Sequence, residues 1–477
     1  MAGILLAALA LPGQAERADP AEARLRAALK KHDVRRARIG VCVRRISDGR
    51  EIFAHNHNEL YEMASNTKLL TTAAALWALG ADYEFRTPVL ANGPIVEGVL
   101  QGDLAVVGGG DPNFSGRLYG DTMHVPREMA AAVQRAGIRE ITGDLLMDDR
   151  FFDRVYRAPG WPGGELLWWY AAPVSALAFN DNCTDIRVQA GAAVGRPATH
   201  SAKPLAPPMR IVNKCVTCPK GERGGVTFEK NDAGELVIGG RIPLGDARTE
   251  SIAIGEPALF FAAALRTELE RLGITVRGRA RLAASDETAP ASAREIFVWR
   301  SRLIDAVNVA NRRSQNFYAE QILKTLGAVR TGKGSFESGC SIVREFARAA
   351  HLPDSTVVTV DGCGLSMGNR ATPQAVAGLL EVMYRSHLQK PFMASLAVNG
   401  EAETTLRNRL REKHIVGRIR AKTGTIKSEG VSALSGYAEA HNGEIYVFSI
   451  LSNDFKPDQL YLVRTLEDAI CEAMVGR

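Results

Sequence analysis

Charge of one sign is scarce in this chain of 477 residues: 59 Lys and Arg stand against 53 Asp and Glu, a net +6. An excess that small, with no local basic patch, argues against a nucleic-acid partner. At 46% apolar and 23% charged residues the composition excludes disorder and supports a large buried core. Metal chemistry is poorly provided for. The only CxxC is Cys215-Val-Thr-Cys218, there is no second CxxC or HxxxH, and none of the nine His lies in HExxH. The run "GGGDP" at 108 to 112 lacks the GK[ST] of a phosphate loop and reads as a turn. Seven Cys is an odd number, so at least one thiol stays unpaired within the chain; a disulfide involving Cys183, Cys215 or Cys218 is the expectation for an exported protein.

Past its first residues the chain has no apolar run long enough for an integral membrane segment. The opening "MAGILLAALALPGQAERADP" has signal-peptide length before small residues at Gly13-Gln14-Ala15, without the usual cationic start. It is expected to be an atypical signal over 1–15, giving a periplasmic or otherwise exported protein. No Cys follows it to carry a lipid anchor.

The length predicts two or three compact units. Residues 20–85 read as a helix from Asp19-Pro20, a hairpin turning at Asp48-Gly49, and the helical "EMASNTKLLTTAAALWALG", ending at Gly80 in a left-handed residue. Over 86–285 short strands alternate with Gly, Pro and Asp. This predicts a largely antiparallel β insertion, with a nested unit at about 185–250 and a helix from Pro257 to Gly273. From 286 to 477 helices return, broken by a polar knot "NRRSQN". Strands follow at "GRIRAKTGTI", "VSALSGYAEAH" and "EIYVFSILS", and then a last amphipathic helix.

Chemistry concentrates at three places. Ser65 and Lys68 stand at i and i+3 on one face of a helix entrance. A serine hydroxyl is a poor nucleophile until a base takes its proton, and an amine serves only if burial or a neighbouring cation lowers its pKa. Alone the pair is weak, because SxxK is a loose pattern. Ser314-Gln315-Asn316 in the polar knot and Lys422-Thr423-Gly424 on the first C-terminal strand add SxN and KTG, each pattern once and in this order. Together they form the signature of penicillin-recognising serine enzymes.

On these motifs, with "GGGDP", "PVSALAFNDN" at 173 to 182 and "DGCGLS" at 361 to 366, the chain resembles the D-alanyl-D-alanine carboxypeptidase/endopeptidase family of low-molecular-mass penicillin-binding proteins. The resemblance implies an α/β transpeptidase-like domain, helices on both sides of an antiparallel sheet, interrupted by the insertion. It implies Ser65 as nucleophile and Lys68 as base, Ser314 relaying a proton to the leaving nitrogen, and Asn316 holding Lys68 and substrate. The backbone N–H groups of Ser65 and Thr425 would meet the oxyanion. Lys422, Thr423 and Thr425 would face the substrate carboxylate, with Gly424 between them and the Lys422 charge favouring a neutral Lys68. Peptidoglycan stem peptides are the implied substrates and β-lactams the covalent inhibitors, with no cofactor or metal. Two positions depart from the pattern: Gln315 stands where SxN usually has Asp, and Cys363 where the family has Ser. The alternatives are a β-lactamase or esterase, against which the absence of ExxLN counts, and a wall-binding or β-lactam-sensing protein.

Overall fold

Strand Arg38–Arg45 is buried along its middle because it has a neighbour on each side. The hairpin through Asp48-Gly49 pairs it with Glu51–His55, and strand Ile445–Asn453 pairs it from the far end of the sequence. In this computed structural model, which describes residues 19–32, 34–204 and 209–476, the two ends of the chain therefore share one six-stranded sheet. Its remaining strands are Val431–Glu439, Ile419–Ile426 and Ala397–Val398, and every pairing is antiparallel. The expected signal segment lies outside the described residues. Among the described residues no helix is long and apolar enough to cross a membrane.

Helices cover both faces, which is why Val431–Glu439 is buried at all but its last residue. On one face Pro20–Lys31 and Leu460–Val475 enclose Leu25, Phe448, Leu466 and Ile470. On the other, Thr67–Leu79, Asn316–Thr331, Phe336–Ala349 and Pro373–Arg385 enclose Leu70, Ile322, Phe346 and Leu380. Each such side chain contributes about 1.5–3 kcal/mol by leaving water. Helix Thr67–Leu79 is buried from Thr67 to Leu76, and its Ala73-Ala74-Ala75 run lets neighbouring helices close in. It stops at Gly80, whose φ of +87° is positive as expected, though its ψ of 157° is extended.

The insertion departs from the antiparallel expectation. Strands Asp103–Val107, Leu145–Asp148 and Ala280–Leu282 run parallel. Parallel strands need long crossovers, and helices His124–Arg135 and Pro257–Arg271 lie in the two connections. The first of these helices, absent from the sequence expectation, carries Pro126 in its opening turn, where proline is tolerated. Strand Ala293–Arg302 pairs along its length with Glu84–Asn92, so the sheet of the insertion continues past residue 285 to Arg302. Beyond it, strands between Cys183 and Ala253 form two small sheets around a separate core of Ile186, Phe228, Leu236 and Ile238.

The expected disulfide is not formed: every Cys is a free, buried thiol. Cys215 leads directly into strand Val216–Cys218. Three residues of extended chain span about 10 Å and turn the two side chains to opposite faces, beyond the reach of an S–S bond.

Candidate active site

Three segments meet at the entrance of helix Thr67–Leu79. Ser65 sits in a 3-10 turn, Ala64–Asn66, that leads into the helix. The turn is held by Thr67 Oγ1 donating to the Ala64 carbonyl at 2.9 Å and by Asn66 Nδ2 donating to the Lys422 carbonyl at 3.1 Å. The second bond ties the Ser65 turn to the KTG strand. Two glycines permit the closeness. A Cβ at Gly424 would come within 2.8 Å of the Met63 carbonyl, and one at Gly364, whose φ is +84°, within 1.8 Å of the Ala64 carbonyl. Strand Ala397–Val398 covers only Arg420 and Ala421 of the KTG strand, so its cleft-side edge is open from Lys422 onward.

Lys68 has no exposed surface, and its Nζ lies 2.8 Å from Ser65 Oγ, 2.7 Å from Asn316 Oδ1 and 2.7 Å from the Cys363 carbonyl. Burial pushes its pKa below the ordinary lysine value, against the opposing pull of Cys363, Asp361 and Glu320. A neutral amine has two N–H groups and one lone pair. Asn316 Oδ1 and the Cys363 carbonyl can only accept, so they take the two N–H groups and leave the lone pair facing the Ser65 hydroxyl. The site is arranged to remove that proton.

Ser314 closes the knot between helices Leu303–Arg312 and Asn316–Thr331 in a left-handed conformation, φ +58°. Such a conformation costs about 1–3 kcal/mol in a non-glycine residue. Its Oγ accepts from Lys422 Nζ at 2.7 Å, and Lys422 also donates to the Thr423 carbonyl at 2.7 Å. Lys422 is fully buried, and its pKa is driven well down by desolvation and then by the charge of Lys68. Lys422 has no exposed surface of its own and meets the cleft through Ser314, which lines it. The strand presents Thr423, Gly424 and Thr425, beside Ser65, Ser314 and Asn316, in a cavity of about 710 Å³. Both lysines are lowered by burial, and two like charges so placed disfavour each other's protonated form.

Residues outside the three motifs hold them in place. Asn316 Nδ2 donates to the Tyr170 carbonyl at 2.8 Å, and Gln315 Nε2 to Asp181 Oδ2 at 2.8 Å, both on the insertion. The amide at Gln315 thus supplies a donor to a carboxylate that an Asp would repel. Glu320, one turn beyond Asn316, accepts from the N–H groups of Gly362 and Cys363. Asp361 accepts from Gly364 N–H at 2.7 Å, the other side of the peptide group whose Cys363 carbonyl meets Lys68, and from Trp161 Nε1 at 3.0 Å. Burial, and then Asp361, raises the Glu320 pKa to about 8. The Cys363 thiol is buried against Glu320. Two letter patterns carry no catalysis. "GGGDP" is a turn in which Asp111 accepts from Ser301 Oγ at 2.7 Å. Gly364-Leu-Ser366-Met-Gly368 spells a GxSxG elbow, but it lies in irregular backbone and not between strand and helix, with Ser366 Oγ accepting from Gly368 N–H.

This fold, with a serine hydroxyl set against a buried lysine amine, is that of a serine hydrolase. The chain belongs to the D-Ala-D-Ala carboxypeptidase 3 (S13) family, whose model matches residues 21–471. It is 32% identical over 431 residues to the D-alanyl-D-alanine carboxypeptidase of Actinomadura sp., covering 87% of this chain and 77% of that protein. It is 24% identical to the D-alanyl-D-alanine carboxypeptidase DacB of Haemophilus influenzae, covering 88% and 86%. The crystal structure of penicillin binding protein 4 from Haemophilus influenzae shares the fold, with a TM-score of 0.81 at 22% identity over 93% of this chain and 97% of that one.

Proposed function

We propose that the protein is an exported, penicillin-sensitive serine D-Ala-D-Ala carboxypeptidase that trims peptidoglycan stem peptides and also cleaves D,D cross-links. The observation that carries this reading is the placement of Lys68 between Ser65 Oγ and two fixed acceptors. Ser65 attacks the carbonyl preceding the terminal D-alanine while its proton passes to Lys68. Ser314, backed by Lys422, delivers a proton to the departing amine, and Asn316 keeps both Lys68 and the substrate amide in register. Backbone N–H groups of Ser65 and Thr425 receive the oxyanion, and the hydroxyls of Thr423 and Thr425 receive the terminal carboxylate. Water then releases the acyl group.

Family membership supports the substrate class, as does a Haemophilus influenzae relative of the same fold whose structure was solved with a β-lactam bound. Incubating purified protein with a D-Ala-D-Ala pentapeptide and a cross-linked muropeptide, with fluorescent penicillin as a label, tests the reading. D-Alanine release and a long-lived penicilloyl-enzyme are expected. Rapid turnover of penicillin without D-alanine release would make it a β-lactamase. Labelling without release of any product would make it a sensor.

A further inference from the structure

Next to the catalytic cleft lies a second cavity of about 660 Å³ that shares Thr423 and Thr425 with it and is lined by Arg313, Arg407 and Arg464. Its character is opposite to that of the far end of the cleft, where Trp169, Tyr170 and Met367 stand. Not all of its charge is free. Arg313 is paired with Glu403, which also lines the cavity, and Arg409 is held by Glu467 and Asp468. Arg407 and Arg464 are exposed and have no carboxylate within ion-pair distance among the described residues. Arg464 instead reaches the KTG strand, its Nη2 lying 3.4 Å from Thr425 Oγ1. Two unpaired guanidiniums at the rim of a cleft whose own strand lysine is buried make an anion site.

We propose that Arg407 and Arg464 form a subsite on the leaving-group side that takes the carboxylates of the amine-side peptide of a cross-link. The proposal rests on the cleavage chemistry above. Ser314, the proton donor to the leaving nitrogen, follows Arg313 directly, and Arg313 borders both cavities, so the departing amine points this way. A free D-alanine would fill little of such a volume, whereas a stem peptide with further carboxylates would occupy it. The step itself is unchanged. The Ser65 Oγ–carbon bond forms, the carbon–nitrogen bond breaks, the serine proton goes by way of Lys68 and Ser314 to the leaving amine, and water later adds hydroxide to the acyl carbon and a proton to Ser65.

The test compares kcat/KM for a cross-linked muropeptide dimer and for a pentapeptide ending in D-Ala-D-Ala, in wild type, Arg407→Ala, Arg407→Lys and Arg407→Glu. Loss of one charge-assisted contact predicts a dimer-to-pentapeptide ratio about tenfold lower in Arg407→Ala, carried mainly by KM, partly restored by Lys and lower still with Glu. Dimer cleavage should also fall more steeply with salt than pentapeptide cleavage. Full labelling by fluorescent penicillin shows that each variant is folded. A ratio that is the same in all four proteins, or a wild type that releases D-alanine but leaves the dimer intact, overturns the subsite alone. A wild type that cleaves neither substrate overturns the function beneath it as well.

Discussion

The surroundings of Ser65 and the outer module of the insertion bury opposite kinds of residue. Around Ser65 lie Lys68, Lys422, Glu320 and Asp361, with no exposed surface, and the buried Asn316. In the module between Cys183 and Ala253 the core is Ile186, Val188, Phe228, Leu236 and Ile238, while charged pairs such as Arg241 with Glu222 stay at the surface. Burying ionisable groups costs stability and is tolerated where they do work; burying aliphatic groups gives stability and nothing else. Function and stability are therefore separable in this chain, and substitutions in the two regions should fail in opposite ways.

The largest expected effect is at Ser65. Ser65→Ala removes a half-buried hydroxyl and the only group on which Lys68 acts, so covalent labelling by fluorescent penicillin should vanish while the melting temperature moves by no more than about 2 °C. Full labelling of that variant would place the nucleophile elsewhere.

Lys422→Ala comes next, and its bond to Ser314 sets a second expectation beside carboxylate recognition. A lysine facing the carboxylate would matter for peptides and not for neutral esters. A lysine that serves proton delivery through its bond to Ser314 should matter for both, with losses of about a hundredfold or more on each. Measuring kcat/KM for a carboxylate-bearing peptide and its methyl ester decides. A loss confined to the peptide would return Lys422 to carboxylate recognition.

The difference between those two expectations marks where the sequence stops being readable. Ser65, Lys68, Ser314, Asn316, Lys422, Thr423, Gly424 and Thr425 lie in three short motifs, and the fold brings all of them together. The sheet with helices on both faces was legible from the same motifs through family resemblance. Which KTG side chain reaches the cleft was not, because it depends on how the knot at Ser314 closes over Lys422. Nor were the carbonyls of Cys363 and Tyr170, since a backbone acceptor leaves no mark in a sequence. Glu320 was detectable in principle, as a carboxylate one helical turn after Asn316 and therefore on the same face. The first parallel crossover of the insertion was hidden by a helix that opens with His, Val and Pro in place of a capping residue.

Glu320 gives a third, smaller effect with a defined pH signature. Glu320→Ala frees the N–H groups of Gly362 and Cys363 and loosens the carbonyl that orients Lys68, so penicillin acylation should slow by about ten- to a hundredfold. Glu320→Gln mimics the neutral acid. The folded protein holds the Glu320 proton up to about pH 8, whereas the unfolded chain loses it near the ordinary glutamate value. Between those limits the folded state binds more protons, so wild-type stability falls as pH rises through that window and levels off above it. The stability of Glu320→Gln relative to wild type should therefore rise from pH 5 to pH 9. A difference that stays constant across that range would show that Glu320 is ionised throughout.

The smallest effect on chemistry should come from the outer module. Leu236 is fully buried in a core that shares no residue with the one beneath Ser65, and Leu236→Ala should remove about 2–5 kcal/mol of local packing. Because that core is separate, the cost should appear as easier opening of the module and not as a change at the nucleophile. Limited proteolysis should cut the variant between residues 183 and 253 sooner than wild type, while its second-order rate constant for penicillin acylation stays within about twofold. The path that could defeat this runs through Trp168, which packs against Phe228 of the module and lies two residues from the Tyr170 carbonyl that holds Asn316. Acylation that slows in step with the loss of protease resistance would mean that this path is rigid, and that the module braces Asn316 from outside the catalytic sheet.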